Sequence, residues 1–173
     1  MQQRKVTYRL YPSPIQKTKL ENTLGVQQRL YNKALEQRIT LYKEEESSLS
    51  FYKQCRFLTE WRASDPKLEA VNAQSEQVTL KRLDLAFQAF FRRIKNGETP
   101  GFPRFKSYHR FPGWGYKAHG DGWRVLSDEN GKHKFVQLSG VGKIRQGVRQ
   151  ERLGTLKRQK FCTKMGIGIS RLP

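Results

Sequence analysis

Residues 91–110 hold Arg92, Arg93, Lys95, Arg104, Lys106 and Arg110 against a single acid, Glu98, a net of +5. Just upstream, Gln74, Gln77, Lys81, Gln88 and Arg92 fall together on one side of a predicted helix when the chain turns by about 100° per residue. Lysine and arginine pair with phosphates and release their counterions. Glutamine amides carry a donor and an acceptor and can read base edges. Cations interleaved with amides therefore point to a polynucleotide, although an ordinary solvated helix side has the same composition.

Catalytic constellations fare worse. The sequence has no GxxxxGK[ST] phosphate loop and no strand-linked GxGxxG. His109, His119 and His133 lack the HExxH or HxxxH spacing of a metal site and read as surface or phosphate-contacting residues. Two-metal nucleases need several converging carboxylates, whereas the acids here are sparse and mostly helical, with Asp121, Asp128 and Glu129 in a turn-rich stretch. Cys55 and Cys162 lie far apart and outside any CxxC pair, which excludes a zinc ribbon and a disulfide framework within these residues. Cys55, amid apolar neighbours, reads as core. No catalytic residue, metal or cofactor is expected.

The whole chain supports a polyanionic partner. It has 173 residues, with 34 Lys+Arg against 15 Asp+Glu and a formal net charge of +19. Such a charge repels itself unless a partner neutralises it; a ribosomal-type or membrane-surface protein would share this property. Residues 141–173 hold nine Lys/Arg against Glu151, a net of +8. Aromatic residues at 12% are too many for a disordered composition. No apolar run is long enough to span a bilayer, and the start, MQQRKVTYRLYPSP, has no apolar leader segment. A soluble, cytoplasmic protein is expected.

The elements that must position these residues follow from periodicity. Residues 5–11 alternate as a strand, with Val6, Tyr8 and Leu10 on one face. Ser13-Pro14 reads as the cap and first position of a helix that ends near Leu24, with Gly25 as C-cap. A second helix is predicted over 26–46, with Val26/Leu30/Ala34 and Tyr31/Leu35/Ile39/Tyr42 as its apolar stripe and Glu44–Glu46 as a solvated end. A short helix over 51–61 has Ser50 as cap, and residues 63–66 read as a turn. The strongest helix is predicted over 70–95, with Leu80, Leu83, Phe87, Phe90, Phe91 and Ile94 as its core face. After a loop at 96–101 come short strand-like runs at 123–126, 135–138 and 142–144, the first two joined by a hairpin turn near 128–133.

Three blocks in order resemble the amino-terminal part of the TnpB/OrfB family, proteins of bacterial and archaeal insertion sequences described as transposases with a helix-turn-helix. They are YRLYPSPIQKTKLENTLGVQQRLYNKALEQR, LKRLDLAFQAFFRRIKNG and GFPRFKSYHRF. The resemblance implies RNA-guided DNA recognition, with DNA and a structured guide RNA as partners. It also implies a wedge-type β-barrel interrupted by a helical recognition bundle. The family's RuvC-like nuclease domain, with its three acids and zinc ribbon, has no counterpart in these residues, so nuclease activity is not carried over. Position by position, Phe51 and Tyr52 match the start of the helix that reads the flanking DNA motif. Gln77 matches the helix face nearest the same duplex, and Arg104 and Lys106 lie in the motif where bundle turns to barrel. Phe102 and Pro103 read as packing residues, and past Phe111 the likeness loosens at Trp114 and Tyr116.

The expectation is thus an α+β protein: about four helices inserted in a small β-barrel that is incomplete at its C-terminal end. Residues 1–11 form its first strand, 12–100 the bundle with a helix-turn-helix-like start, and 101–157 the rest of the barrel. Residues 158–173 do not alternate and read as an out-of-frame tail, one nucleotide shift near Lys157 permitting a strand–turn–strand instead. A poorly ordered C-terminal part and marginal stability would follow. The candidate nucleic-acid-binding residues are Phe51, Tyr52, Gln74, Gln77, Lys81, Arg92, Arg93, Arg104, Lys106 and Arg110. The expected function is nucleic-acid binding without cutting. The alternatives are a repressor of its own element, an inert pseudogene product, or a nuclease subunit completed by a separately encoded chain.

Overall fold

Ser13 and Gln16 start the first helix by a reciprocal cap. The Gln16 N–H donates to Ser13 Oγ at 3.3 Å, and the Ser13 N–H donates to Gln16 Oε1 at 3.0 Å. Pro14 at the first helical position loses no hydrogen bond there. The computed structural model describes residues 7–150. Its order is β1 (Thr7–Tyr11), α1 (Pro14–Glu45), α2 (Phe51–Ser64), α3 (Pro66–Glu69), α4 (Ala73–Lys95), β2 (Trp123–Ser127), β3 (Lys134–Leu138) and β4 (Gly142–Gln150), with a 3₁₀ turn over Tyr108–Arg110. The expected tail at 158–173 lies outside the described residues. The described chain forms two compact units, one from residues 7–24 and 112–150, the other from Gly25–Phe111.

Helices and strands together make the expected α+β class, but the sheet is open and not a barrel. Its order is β1-β4-β3-β2, all pairs antiparallel, with β1 and β2 on opposite edges. Closure requires the edge strands to meet after tilt and stagger, and four strands of five to nine residues do not bring them together. The first strand does pair with the late ones, Tyr11 lying opposite Arg145. Leu10, Trp123, Val136, Leu138 and Ile144 are buried. The β2–β3 turn forms where expected. The Asp128 N–H donates to the His133 carbonyl at 3.0 Å, Asp128 Oδ1 accepts from the His133 N–H at 3.0 Å, and Gly131 takes the left-handed conformation at φ 65°.

The bundle departs from expectation at Gly25. Residues 14–45 form one unbroken helix, not two. A mid-helix glycine costs only about 1 kcal/mol against alanine, while Leu24, Val26, Gln27, Leu30, Tyr31, Ala34 and Leu35 around it are all buried. Burial of that length of helix outweighs the local break. The apolar stripe stops short of its predicted end, leaving Tyr42 64% exposed. Ser50 caps α2 by accepting from the Lys53 N–H, and the helix runs to Ser64, past its predicted end at 61. The predicted turn at 63–66 shrinks to Asp65, which caps α3 with Pro66 at its start.

Buried polar groups tie α1, α2 and α4 together. Gln27 Nε2 donates to Ser75 Oγ at 2.7 Å, and Thr79 Oγ1 donates to Gln27 Oε1 at 2.5 Å. Arg38 Nε donates to Gln54 Oε1 at 2.7 Å and its Nη2 to Asp84 Oδ1 at 3.2 Å, while Gln54 Nε2 donates to the Ala34 carbonyl at 2.9 Å. A buried polar group without a partner is costly, so these bonds fix the helices to one register.

Candidate nucleic-acid interface

The cap of α2 fixes the first group of candidate residues. Ser50 aims Phe51 and Tyr52 from the first turn, their rings meeting edge-on at 5.5 Å between centroids. Tyr52 is 79% exposed. From α4, Lys81 Nζ lies 4.9 Å from the Phe51 ring centroid and 3.0 Å from Asp84 Oδ2. The fold thus joins Phe51, Tyr52 and Lys81, some thirty residues apart in sequence.

Asp84 is the hinge-pin of this corner. Its Oδ1 accepts from Arg38, and its Oδ2 accepts from Lys81 and from Gln88 Nε2 at 2.8 Å. Burial pushes the Arg38 guanidinium pKa down, and the hydrogen bond and charge of Asp84 hold it up. With Asp84 so engaged, part of the Lys81 charge is already compensated, and Gln88 is committed to the carboxylate. Asp84 is thus buried and engaged by three side chains, while Gln88 stays exposed.

Gln74 and Gln77 lie on the same strip of α4, both half-buried. Gln74 Oε1 has no hydrogen-bond partner among the described residues. Arg92 continues the strip to the last turn of α4, where Arg93 and Lys95 are also exposed. Cations there complement the C-terminal end of the helix dipole, so the local fold stabilises them without any partner.

Arg104, Lys106 and Arg110 lie elsewhere, on the segment 101–111. Asn32 holds the Lys106 main chain from both sides, its Oδ1 accepting from the N–H and its Nδ2 donating to the carbonyl, each at 2.9 Å. Gln28 Nε2 donates to the same carbonyl. The backbone of this segment is therefore fixed to α1 while Arg104 and Arg110 remain exposed.

Sequence reasoning placed Phe91 and Ile94 in the core, but they are 58% and 50% exposed. The buried face of α4 ends at Phe87. Phe102, read as a packing residue, does meet Phe87 and Phe90 edge-on at 5.6 and 5.3 Å, yet stays 47% exposed. An apolar patch flanked by Arg92, Arg93 and Lys95 results. Cys55 is half-buried, not core. Among the described residues no group of three or more His, Cys, Asp or Glu could hold a metal ion, and no helix is long and apolar enough to cross a membrane.

Comparison with known proteins finds two likenesses. Residues 1–47 match the family model of the helix-turn-helix domain of OrfB of the IS605 type. Across 102 residues the chain is 34% identical to a Streptomyces pristinaespiralis protein named "Putative RNA-guided DNA endonuclease". That match covers 58% of this chain and 24% of the relative, so the chain matches about a quarter of that protein's length. Over its amino-terminal part, the chain is thus similar to proteins of the TnpB/OrfB type.

Proposed function

We propose that the chain is a nucleic-acid-recognition module of TnpB type, which binds DNA and a structured guide RNA and does not itself cut. The observation that carries this reading is the Phe51–Tyr52–Lys81 group set beside Gln74 and Gln77. It offers the exposed Tyr52 ring, the half-buried Phe51 ring, a cation and two half-buried amides on one corner of a basic unit. Aromatic rings stack on bases, amides read base edges, and the cations at 92, 93, 104, 106 and 110 contact phosphates. The division at Gly25 and Phe111 supports a helical unit inserted in a sheet unit. Any cutting would need carboxylates from outside the described residues, either in this polypeptide or in a separately encoded chain.

Binding isotherms of the full chain test this. Affinity for a structured RNA should exceed that for random duplex DNA and fall steeply with salt. If the six candidate cations each meet a phosphate, the logarithmic salt slope is roughly −5, and it is shallower where Asp84 retains Lys81. Equal affinity for both polymers would point to unspecific polyanion binding. No affinity for any oligonucleotide at low ionic strength would overturn the proposal.

A further inference from the structure

The sheet unit carries a second candidate site. Strand β3 stops pairing with β4 at Lys134↔Gln146, while β4 continues along β1 as far as Thr7↔Gln150. A cleft of about 750 Å³ opens there, lined by Tyr8, Tyr11, Lys132, His133, Lys134, Arg145, Gln146 and Gly147. Among the described residues no carboxylate lines it. The nearby Asp128 spends Oδ1 on the His133 N–H. Lys132, Lys134 and Arg145 are all exposed, and a fourth cation, Arg9, lies 5.3 Å from the Tyr11 ring centroid.

Two features narrow the ligand. Gly147 lies where the β1–β4 register shifts, and a Cβ on it would come within 2.9 Å of Tyr11 Cε2 and 3.2 Å of the Arg9 carbonyl. The glycine thus lets the Tyr11 ring lie close over the strand, with half its surface open. Gln146 also lines the cleft, with its Oε1 buried. The volume suits a ligand of nucleotide size rather than a small anion.

We propose that this cleft binds an unpaired stretch of a nucleic-acid strand. Its phosphates lie against Lys132, Lys134 and Arg145, and a base stacks on Tyr11. Stacking needs an open base face, which a duplex hides. The cleft lies in the sheet unit, and the candidate helical residues lie in the other.

The test uses the full chain with single-stranded oligouridylate and oligothymidylate of about 12 nucleotides, a length within the range one such site occupies, and a duplex of equal length. The double variant Lys132→Glu/Lys134→Glu, both positions exposed, and Tyr11→Ala should each weaken single-strand binding about tenfold or more. Tyr11→Phe should restore it, and duplex binding should change by less. Photo-crosslinking with thiouridine-substituted RNA should label peptides spanning 8–11 and 132–147. Crosslinks confined to 51–110, with single-strand affinity unchanged in the variants, would overturn the cleft and leave the helical interface standing. Loss of all oligonucleotide binding by the parent chain would sink both.

Discussion

Arg62 of α2 closes on Glu76 of α4 as an ion pair in which Glu76 has no exposed surface. The same guanidinium donates to the carbonyls of Leu68, Glu69 and Val71, closing the end of α3. Glu76 Oε1 has no hydrogen-bond partner among the described residues. Burial raises the Glu76 pKa to about 7, against the opposing pull of Arg62. The folded chain therefore holds this proton more tightly than the unfolded one. Its stabilising contribution is full below about pH 4.5 and is lost as pH rises towards 7. Within that window it costs up to about 1.4 kcal/mol per pH unit. Urea melts of the parent and of Glu76→Gln across pH 5–8 should differ in slope, the variant being flatter. Parallel pH profiles would refute the shift.

Asp84 gives a stability prediction. Asp84→Ala leaves Arg38 buried without its counter-charge and should cost about 3–5 kcal/mol. Adding Arg38→Met should recover much of that loss, because an apolar side chain of similar length needs no partner. Chemical denaturation of the two variants measures both values. Equal stability of single and double variants would argue against a charge penalty.

Gly25→Ala should stabilise the chain by about 0.5–1 kcal/mol. The new Cβ would meet Arg29 Nη1 at 3.5 Å and Tyr108 Cε2 at 3.8 Å, ordinary contacts. Gly147→Ala should do the reverse, costing about 1–3 kcal/mol by displacing Tyr11. Thermal melting distinguishes the two signs.

These two glycines show how much could be read in advance. Helix caps and strand runs were legible because they are local: Ser13-Pro14 and Ser50 start helices as expected, and Trp123, Phe135 and Gly142 fall in strands. Gly25 looked like a stop because its neighbours' burial cannot be seen in one dimension. Phe91 and Ile94 share the angular position of Leu80 and Leu83, but periodicity does not say where the facing element ends. Likewise, no spacing rule places Lys81 on Phe51 or Tyr11 near Lys134, since those approaches depend on tertiary contacts. Of the ten candidate residues, Phe51, Tyr52 and Lys81 come together, with Gln74 and Gln77 on the adjoining strip. Arg104, Lys106 and Arg110 sit on another segment, for which the sequence offered charge but no geometry.

Gln77→Ala should flatten discrimination among DNA sequences while leaving the mean affinity within a few-fold. Arg92→Ala should weaken every sequence alike and reduce the salt slope by about one. Competition binding against a randomised duplex library separates the two behaviours. A uniform loss from Gln77→Ala would remove it from base reading.

The exposed rings of Phe91 and Phe102 beside Arg92, Arg93 and Lys95 set a limit on handling the isolated polypeptide. At low ionic strength, like charge keeps molecules apart. Added sulfate screens that repulsion and drives apolar surfaces together. The purification step that strips away bound polynucleotide is therefore also the step that invites clumping. Light scattering should rise with sulfate concentration, and the rise should be blunted in Phe91→Ser.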